Sequence, residues 1–289
     1  MDSSVFDTAI AFIRRNENFV ITAHETPDGD AVGAEIGAYN SLRSLGKNAK
    51  IINADPTPRI FEYIDSEQVI SNLSDAAAVP QSLSDWCLLI LDSNDINNIG
   101  AIREVILENV SEYFIIDHHE QDVSLRNGNL IVAQASSTCE VLYDLFKGLG
   151  VSYDLPTAIA LFSGIVYDTG SFIYPKTSID TFRIAEDLAR IGVEPNYVYS
   201  KMYESNTVSS LLLQSLVLST LTLHYDDQVA VQRLTSSALE TSGAPFEEAQ
   251  TLINVPLKSE RIKVSIFFKE NMEGILRCSM RSKGNIDVA

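Results

Sequence analysis

The sequence has 289 residues, more than one typical domain of roughly 100–200 residues, and this length predicts two domains. With 45% hydrophobic and 21% charged residues, the chain can bury a full core, and no region has the composition of a disordered tract. The formal net charge of −18 argues against binding of long DNA or RNA as a general mode, because phosphate backbones are bound by basic faces. A small anionic substrate is compatible with this charge if a metal or a few basic residues supply local positive charge.

The cysteines and apolar segments indicate where the protein works. Cys87, Cys139 and Cys278 lie far apart and form no CxxC pair, which favours buried thiols in a reducing cytosol. The N-terminus has no basic region followed by an apolar stretch, so a secretory signal is not expected. The most apolar stretch, residues 211–223, is interrupted by polar residues and falls short of the ~20 apolar residues of a membrane span. We therefore expect a soluble cytoplasmic protein without a membrane segment.

Helix and strand patterns alternate through the first two thirds of the chain. Apolar runs typical of strands occur at residues 19–21, 49–52, 86–91 and 113–116. Helical patterns occur at residues 4–15, 31–45, 137–148, 156–167 and 179–191. This alternation predicts an α/β fold with a mostly parallel sheet and helices on both faces.

The pattern changes after about residue 206. The predicted elements there are a connecting helix at 208–218, a β-hairpin at 221–234, a helix at 245–253 and strands at 262–268 and 275–280. These elements predict a smaller α+β domain. We accordingly divide the chain into a first domain (residues 1–206), a linker helix (residues 207–220) and a second domain (residues 221–289).

Acidic and histidine side chains follow the predicted strands, and one more closes a predicted helix. In chain order they are His24, Asp28, Asp30, Asp92, Asp117, His118, His119 and Asp168. Because loops at the carboxyl ends of parallel strands converge, we expect these side chains to meet in one crevice.

Several carboxylates in one crevice repel each other unless they are protonated or bind a metal. Carboxylates mixed with imidazoles suit a divalent first-row metal, and the oxygen-rich mixture favours Mn²⁺. Each piece alone has an ordinary interpretation: Pro27-Asp28-Gly29 as a turn, Asp92 as a helix cap and Asp168 as a helix-end turn. However, three of the four histidines of the chain fall at predicted strand ends, and this convergence favours a metal site.

The order and spacing of these motifs resemble the DHH phosphoesterases, and within them the two-domain oligoribonuclease (nanoRNase) and pAp phosphatase type (pAp is 3′-phosphoadenosine 5′-phosphate). The matching segments are TAHETPDGDAVG at 22–33, LDSND at 91–95, IDHH at 116–119, SST at 136–138 and GIVYDTGSF at 164–172. The resemblance implies a catalytic DHH domain followed by a DHHA1-like substrate-binding domain.

The resemblance also implies roles for the strand-end residues. One metal ion is expected on His24, Asp28 and Asp92, and a second on Asp30, Asp92, His118 and Asp168. Asp92 would bridge the two ions, Asp117 would orient His118, and His119 would face the substrate phosphate. The implied cofactors are two Mn²⁺ ions, with Mg²⁺ and Co²⁺ as alternatives.

In the second domain, SMRSKG at residues 279–284 resembles the substrate-binding signature of the family. Arg281, Ser282 and Lys283 are therefore expected to bind a terminal phosphate or the carried nucleotide. The alternative is an exposed basic turn after an edge strand.

The family usually continues into a glycine-rich stretch ending in histidine, whereas this sequence ends at Val288-Ala289. We expect the second domain to be cut short, either because a tail is omitted or because the element is lacking.

The activity implied by the resemblance is manganese-dependent hydrolysis of short oligoribonucleotides and of pAp, which gives AMP and phosphate. The alternatives are a cyclic or linear dinucleotide phosphodiesterase, a single-strand DNA exonuclease, an inorganic pyrophosphatase and a non-catalytic nucleotide sensor. The pyrophosphatase is disfavoured because Thr26-Pro27-Asp28-Gly29-Asp30 departs from the Asn-Pro-Asp-Thr-Asp of that group. Expected partners are short RNA, pAp or dinucleotides rather than long duplexes, and a homodimer is compatible with the family.

Overall fold

The computed structural model describes residues 3–75, 77–120, 128–270, 274–284 and 286–288. The chain forms two compact units, Met1–Glu204 and Ser205–Ala289. Within the described residues, no helix combines the length and the apolar character that crossing a membrane requires.

The first unit contains a six-stranded sheet. Its strands are β1 (Asn18–Thr22), β2 (Asn48–Asn53), β3 (Ile70–Asn72), β4 (Cys87–Leu91), β5 (Glu112–Asp117) and β6 (Leu130–Ile131). Its α-helices are α1 (Asp7–Arg15), α2 (Gly29–Ser44), α3 (Thr138–Gly148), α4 (Leu155–Asp168), α5 (Ile179–Ile191) and α6 (Pro195–Tyr203). Short 3₁₀-helices span Ser3–Phe6, Arg59–Phe61 and Ile96–Ile99, and a π-helix spans Arg103–Leu107.

The strands lie in the order β3-β2-β1-β4-β5-β6, and all neighbouring pairs are parallel. The chain builds outwards from β1 to β3 and then returns to the other side of β1. In doubly wound sheets, ligands bind outside the carboxyl ends of the strands where the order reverses. The reversal lies between β1 and β4, which are the strands that lead into His24 and Asp92.

Both faces of the sheet are buried, because successive side chains of a strand point to opposite faces. In β4, Cys87, Leu89 and Leu91 pack in the core cluster that contains residues of the α-helices. Leu88 and Ile90 pack in a second cluster with residues of the short helices at 96–99 and 103–107. All five residues of β4 are buried, which accounts for its continuous apolar sequence. The predicted α/β fold is confirmed.

Helices α2 and α4 approach each other closely through two glycines. A Cβ atom on Gly33 would lie 2.5 Å from the carbonyl oxygen of Ala160. A Cβ atom on Gly164 would lie 2.7 Å from Oδ1 of Asp30. The absence of side chains at these positions lets α4 carry Asp168 close to Asp30.

The second unit is a mixed sheet with helices. Its strands are β7 (Thr222–His224), β8 (Val229–Leu234), β9 (Val264–Glu270) and β10 (Leu276–Ser282), and its α-helices are α7 (Val208–Ser219) and α8 (Ser236–Ser242). The order is β10-β9-β8-β7, with β8 and β9 parallel and the two outer pairs antiparallel. The segment predicted as a helix at 245–253 is a 3₁₀-helix at Phe246–Asn254, followed by a short one at Pro256–Lys258.

Candidate metal centre

The loop after β1 leads directly into α2, and Asp28 caps this helix. Its Oδ1 accepts hydrogen bonds from the backbone N–H groups of Asp30 (3.0 Å) and Ala31 (3.1 Å). The ordinary interpretation of this residue as a cap is therefore satisfied by one oxygen. The same carboxylate also lies within reach of His24 and Asp92, so capping and metal binding are compatible.

Asp30 is fully buried, and its carboxylate is held by the N-terminus of α3. Oδ2 accepts a hydrogen bond from the backbone N–H of Thr138 (2.6 Å), and Oδ1 accepts one from Cys139 (3.0 Å). Negative charge is favourable at this end of a helix. Burial, together with the carboxylates of Asp92 and Asp168, nevertheless raises the pKa of Asp30 well above its ordinary value. A cation at this position would offset both penalties.

Asp92 lies at the end of β4, between two histidines. Its Oδ2 is 3.7 Å from Nε2 of His24, and its Oδ1 is 3.6 Å from Nε2 of His118. The backbone of Asp92 has φ 54°, in the left-handed region that few residues other than glycine adopt. Burial raises the pKa of Asp92, but contact with His24 and the charges of His118 and His119 outweigh burial and lower it. The two oxygens of one carboxylate thus face different parts of the site.

His118 is buried, with Nδ1 3.4 Å from the carbonyl oxygen of Ala135. Its Nε2 lies 2.8 Å from Oδ2 of Asp168 and 3.8 Å from Oδ2 of Asp30. Within the described part of the chain, Nε2 makes no hydrogen bond, although it lies close to these carboxylate oxygens. A buried nitrogen that converges with carboxylate oxygens without bonding to them has the arrangement of a metal ligand.

His119 is half-exposed, and its Nδ1 lies 2.8 Å from Oδ1 of Asp117. The same oxygen accepts a hydrogen bond from the backbone N–H of His118 (2.8 Å). The hydrogen bond with Asp117 is the largest of the effects that raise the pKa of His119 to about 9. Asp117 therefore contacts the ring of His119, whereas the resemblance led us to expect that it orients the ring of His118.

The ligand atoms of the first unit form groups whose members lie within 4.8 Å of one another. The groups are His24, Asp28 and Asp92; Asp30, His118 and Asp168; and Asp92, Asp117, His118 and His119. Such a concentration of buried carboxylates is costly unless it is compensated, and the mixture of imidazole and carboxylate donors fits a divalent cation. The cluster can hold a metal ion, and the orphaned Nε2 of His118 is the observation that fits it best.

Thr138 connects the two carboxylates at the centre of the cluster. Its backbone N–H binds Asp30, and its hydroxyl donates to Oδ1 of Asp92 across 3.0 Å. The sequence predicts the Ser-Ser-Thr segment as a family motif and as the start of a helix, but it does not predict that Thr138 contacts these carboxylates. Its capping pattern was a usable signal, since Ser137 accepts the N–H of Glu140 (3.1 Å) and so fixes the first turn of α3.

The predicted substrate-binding residues lie in the second unit. Arg281 is exposed on the edge strand β10, opposite Ser265 of β9. Ser282 donates its hydroxyl to the carbonyl of Ile286. Lys283 donates to the carbonyl of Leu257 (3.1 Å) and to that of Ser259. Arg281 is the exposed one of the three, and its phosphate-binding role stays a prediction.

Comparison with known proteins agrees with this geometry. A family profile described as the DHH family, N-terminal domain, matches residues 18–165. The chain is 28% identical over 267 residues to the bifunctional oligoribonuclease and PAP phosphatase NrnA of Thermus thermophilus, covering 92% of this chain and 76% of that protein. It is 25% identical over 291 residues to the cyclic-di-AMP phosphodiesterase GdpP of Bacillus subtilis, covering 96% of this chain and 42% of that protein.

Among solved structures, an exopolyphosphatase-related protein from Bacteroides fragilis has the same fold. It superposes with a TM-score of 0.88 at 24% identity, covering 97% of this chain and 84% of that chain.

Proposed function

The chain belongs to the DHH family and is a metal-dependent phosphoesterase, and on this premise we propose that it hydrolyses short oligoribonucleotides and pAp with two Mn²⁺ ions. The observation that carries the proposal is the position of Asp92 between the two groups of ligands. One of its oxygens faces His24 and the other faces His118. One ion would be held by His24, Asp28 and Asp92 and another by Asp30, Asp92, His118 and Asp168, so Asp92 would serve both.

Two divalent ions, when bound, neutralise phosphoryl charge and make a water molecule acidic enough to attack phosphorus at neutral pH. The donor set is rich in oxygen and includes imidazole, which supports Mn²⁺. The local positive charge would also admit an anionic substrate into a protein of net charge −18.

His119 is the side chain that we propose for contact with the substrate phosphate. Its Nδ1 is engaged by Asp117, which orients the ring and favours its charged form. The other nitrogen, Nε2, can then donate to a phosphoryl oxygen from the open side of the site. Asp117 acts through His119 and is a positioning residue.

Short nucleotides are favoured over long nucleic acids by two observations. The relative from Thermus thermophilus is named for oligoribonuclease and PAP phosphatase activities and resembles this chain along 92% of its length. The strong negative charge of the chain disfavours a long phosphate backbone. In pAp hydrolysis, water would replace the 3′-oxygen on phosphorus, and the products would be AMP and inorganic phosphate.

A cyclic or linear dinucleotide phosphodiesterase is the second candidate. The observation that favours it is the 25% identity with the cyclic-di-AMP phosphodiesterase GdpP along 96% of this chain. The two candidates share the same ligand set and differ in the substrate.

The test is a comparison of substrates with the purified chain. Phosphate release from pAp and cleavage of a labelled RNA dinucleotide would be measured beside cyclic di-AMP and pyrophosphate, with Mn²⁺ and with a chelator. We expect turnover of pAp and the RNA dinucleotide that the chelator abolishes. Cleavage of cyclic di-AMP alone would favour the second candidate, and chelator-resistant turnover would overturn the metal mechanism.

A further inference from the structure

A tightly held segment follows Asp168 and the end of α4. The backbone N–H of Ser171 donates to the carbonyl of Val166 (2.8 Å), and that of Tyr174 donates to Thr169 (2.9 Å). The N–H of Phe172 donates to the hydroxyl of Thr169 (2.9 Å). Ser171 and Phe172 have φ values of 62° and 68°, which persist in non-glycine residues only where the surroundings impose them. Residues 171–177 therefore form an ordered segment held by hydrogen bonds.

Lys176 in this segment places its ammonium group against the backbone of His118, a proposed metal ligand. Its Nζ donates to the carbonyl oxygen of His118 across 3.2 Å. Over the part of the chain that the structure describes, Lys176 forms no ion pair. Five other cations of the first unit, by contrast, are paired with carboxylates: Arg15, Lys47, Lys147, Arg183 and Arg190. The charge of Lys176 is thus available to an anion beside the site.

The same segment presents apolar side chains to solvent. Ile173 is 79% exposed and Tyr174 is 56% exposed, although the preceding Phe172 is partly buried against the core and contacts the rings of Phe162 and Phe182. The ring of Tyr174 lies against Gly170, where a Cβ atom would come within 2.5 Å of its Cζ. The segment thus carries an exposed aromatic ring at Tyr174 and, two positions further on, a cation at Lys176 without an ion pair among the described residues. These match the two parts of a nucleotide, because bases stack on aromatic rings and phosphates attract ammonium groups.

We infer that residues 171–177 bind the nucleotide part of the substrate, with Lys176 contacting a phosphate that is not hydrolysed and Tyr174 stacking on a base. The inference rests on the proposed function and deepens it, because it makes a second phosphate a feature that the site recognises. In pAp, the phosphate contacted by Lys176 is the 5′-phosphate, which stays on the product AMP.

The experiment compares pAp with 3′-AMP, which has the scissile phosphate but no 5′-phosphate. Lys176→Ala should raise KM for pAp by about tenfold or more and leave KM for 3′-AMP within about twofold, since only pAp loses a charged contact. Lys176→Arg should restore most of the affinity for pAp. Tyr174→Ala should raise KM for both nucleotides, and Tyr174→Phe should not.

A purely structural role of Lys176 has a different signature. Loss of the bond to the His118 carbonyl would then lower kcat equally on both substrates and weaken Mn²⁺ binding, and this result would overturn the inference. Lys50→Ala is the matched control, because Lys50 also donates to a backbone carbonyl, that of Ala78 (2.8 Å), but lies in β2. It should leave the discrimination between pAp and 3′-AMP unchanged.

Equilibrium binding of 5′-AMP in the presence of Mn²⁺ separates this inference from the proposed function. Failure of the wild-type protein to hydrolyse either nucleotide would count against the proposed function alone. Lys176→Ala should still weaken 5′-AMP binding about tenfold, and equal affinity of the variant and the wild type would overturn the inference.

Discussion

The backbone N–H of Thr138 donates to Oδ2 of Asp30 across 2.6 Å, so the first turn of α3 holds a carboxylate that belongs to α2. These residues are 108 positions apart in the chain. The hydroxyl of the same threonine reaches Asp92. One residue therefore fixes two proposed metal ligands that come from different elements.

Asp92→Asn is expected to lower kcat by more than about 100-fold, since replacing groups that only orient metal ligands already costs roughly 10–100-fold. The amide keeps the shape of the carboxylate but removes the charge and one strong acceptor. Steady-state hydrolysis of pAp and calorimetric Mn²⁺ titration would measure the effect, with circular dichroism as the control for folding. Full activity of the variant would rule out a bridging role for Asp92.

Thr138→Val removes the hydroxyl that donates a hydrogen bond to Asp92 and keeps the backbone bond to Asp30. We expect Mn²⁺ affinity or kcat to fall by about 10–100-fold, as is usual for groups that orient ligands. Thr138→Ser keeps the hydroxyl and should restore most of the loss. Equal activity of the valine and serine variants would show that the hydroxyl has no part in positioning Asp92.

Glu35 gives a pH-dependent prediction. It is fully buried, its Oε2 accepts a hydrogen bond from Asn53 (3.0 Å), and burial is the main cause that raises its pKa to about 8. The ordinary pKa is 4.5. Between pH 4.5 and about 8, therefore, Glu35 is protonated in the folded chain but ionised in the unfolded chain. The stability that this proton contributes is complete below pH 4.5 and is lost as the pH rises through about 8.

Glu35→Gln removes this titration while keeping the shape of the side chain. The free energy of unfolding of the variant, relative to the wild type, should therefore rise between pH 5.5 and 8.5, by roughly 3 kcal/mol. Urea unfolding with a chelator present, at both pH values, measures the difference. A difference that does not change with pH would show that Glu35 is not protonated in the folded chain.

Gly33→Ala tests the close approach of α2 and α4. The added methyl group would lie 2.5 Å from the carbonyl of Ala160, so the helices must separate, at a cost of about 1–3 kcal/mol. Activity should fall as well, because Asp168 would move away from Asp30. The matched control is Gly148→Ala at the end of α3, where a Cβ atom meets nothing within 4 Å and little change in Tm is expected. Equal Tm values for the two variants would contradict the packing argument.

Arg281→Ala tests the predicted phosphate grip of the second unit. We expect KM for pAp to rise by about tenfold, the worth of a charge-assisted hydrogen bond, while Mn²⁺ affinity stays the same. Arg261→Ala, which breaks an exposed ion pair with Asp227 (3.3 Å), serves as the control and should leave KM unchanged. An unaltered KM for Arg281→Ala would count against a substrate role.

The fold was predictable where the sequence has strong local signals. The fully apolar run of β4 and the capped helix α5 were both placed from pattern alone, and α5 has the predicted bounds of residues 179–191. The strands β3 and β6 were missed, because they have only three and two residues and depend on pairing with β2 and β5. The predicted helix at 245–253 became 3₁₀ because local periodicity does not distinguish the two helical forms.

The site was predictable as a set of residues but not as a set of contacts. Side chains that follow strands could be expected to converge, and the structure brings His24, Asp92 and His118 together. The contributions of Thr138 and Lys176 could not be read from the sequence, because one acts partly through a backbone N–H and the other through a backbone carbonyl of a distant residue. The bond of Asp117 to His119 likewise depends on geometry that adjacency in sequence does not specify.

The left-handed backbone of Asp92 sets stability against activity at one position. Glycine would adopt this conformation more readily than aspartate, because it has no Cβ atom. Directed evolution that selects only for thermal stability should therefore replace Asp92 and yield a more stable but inactive protein. Retention of the acidic residue in the natural chain is consistent with selection for chemistry over robustness.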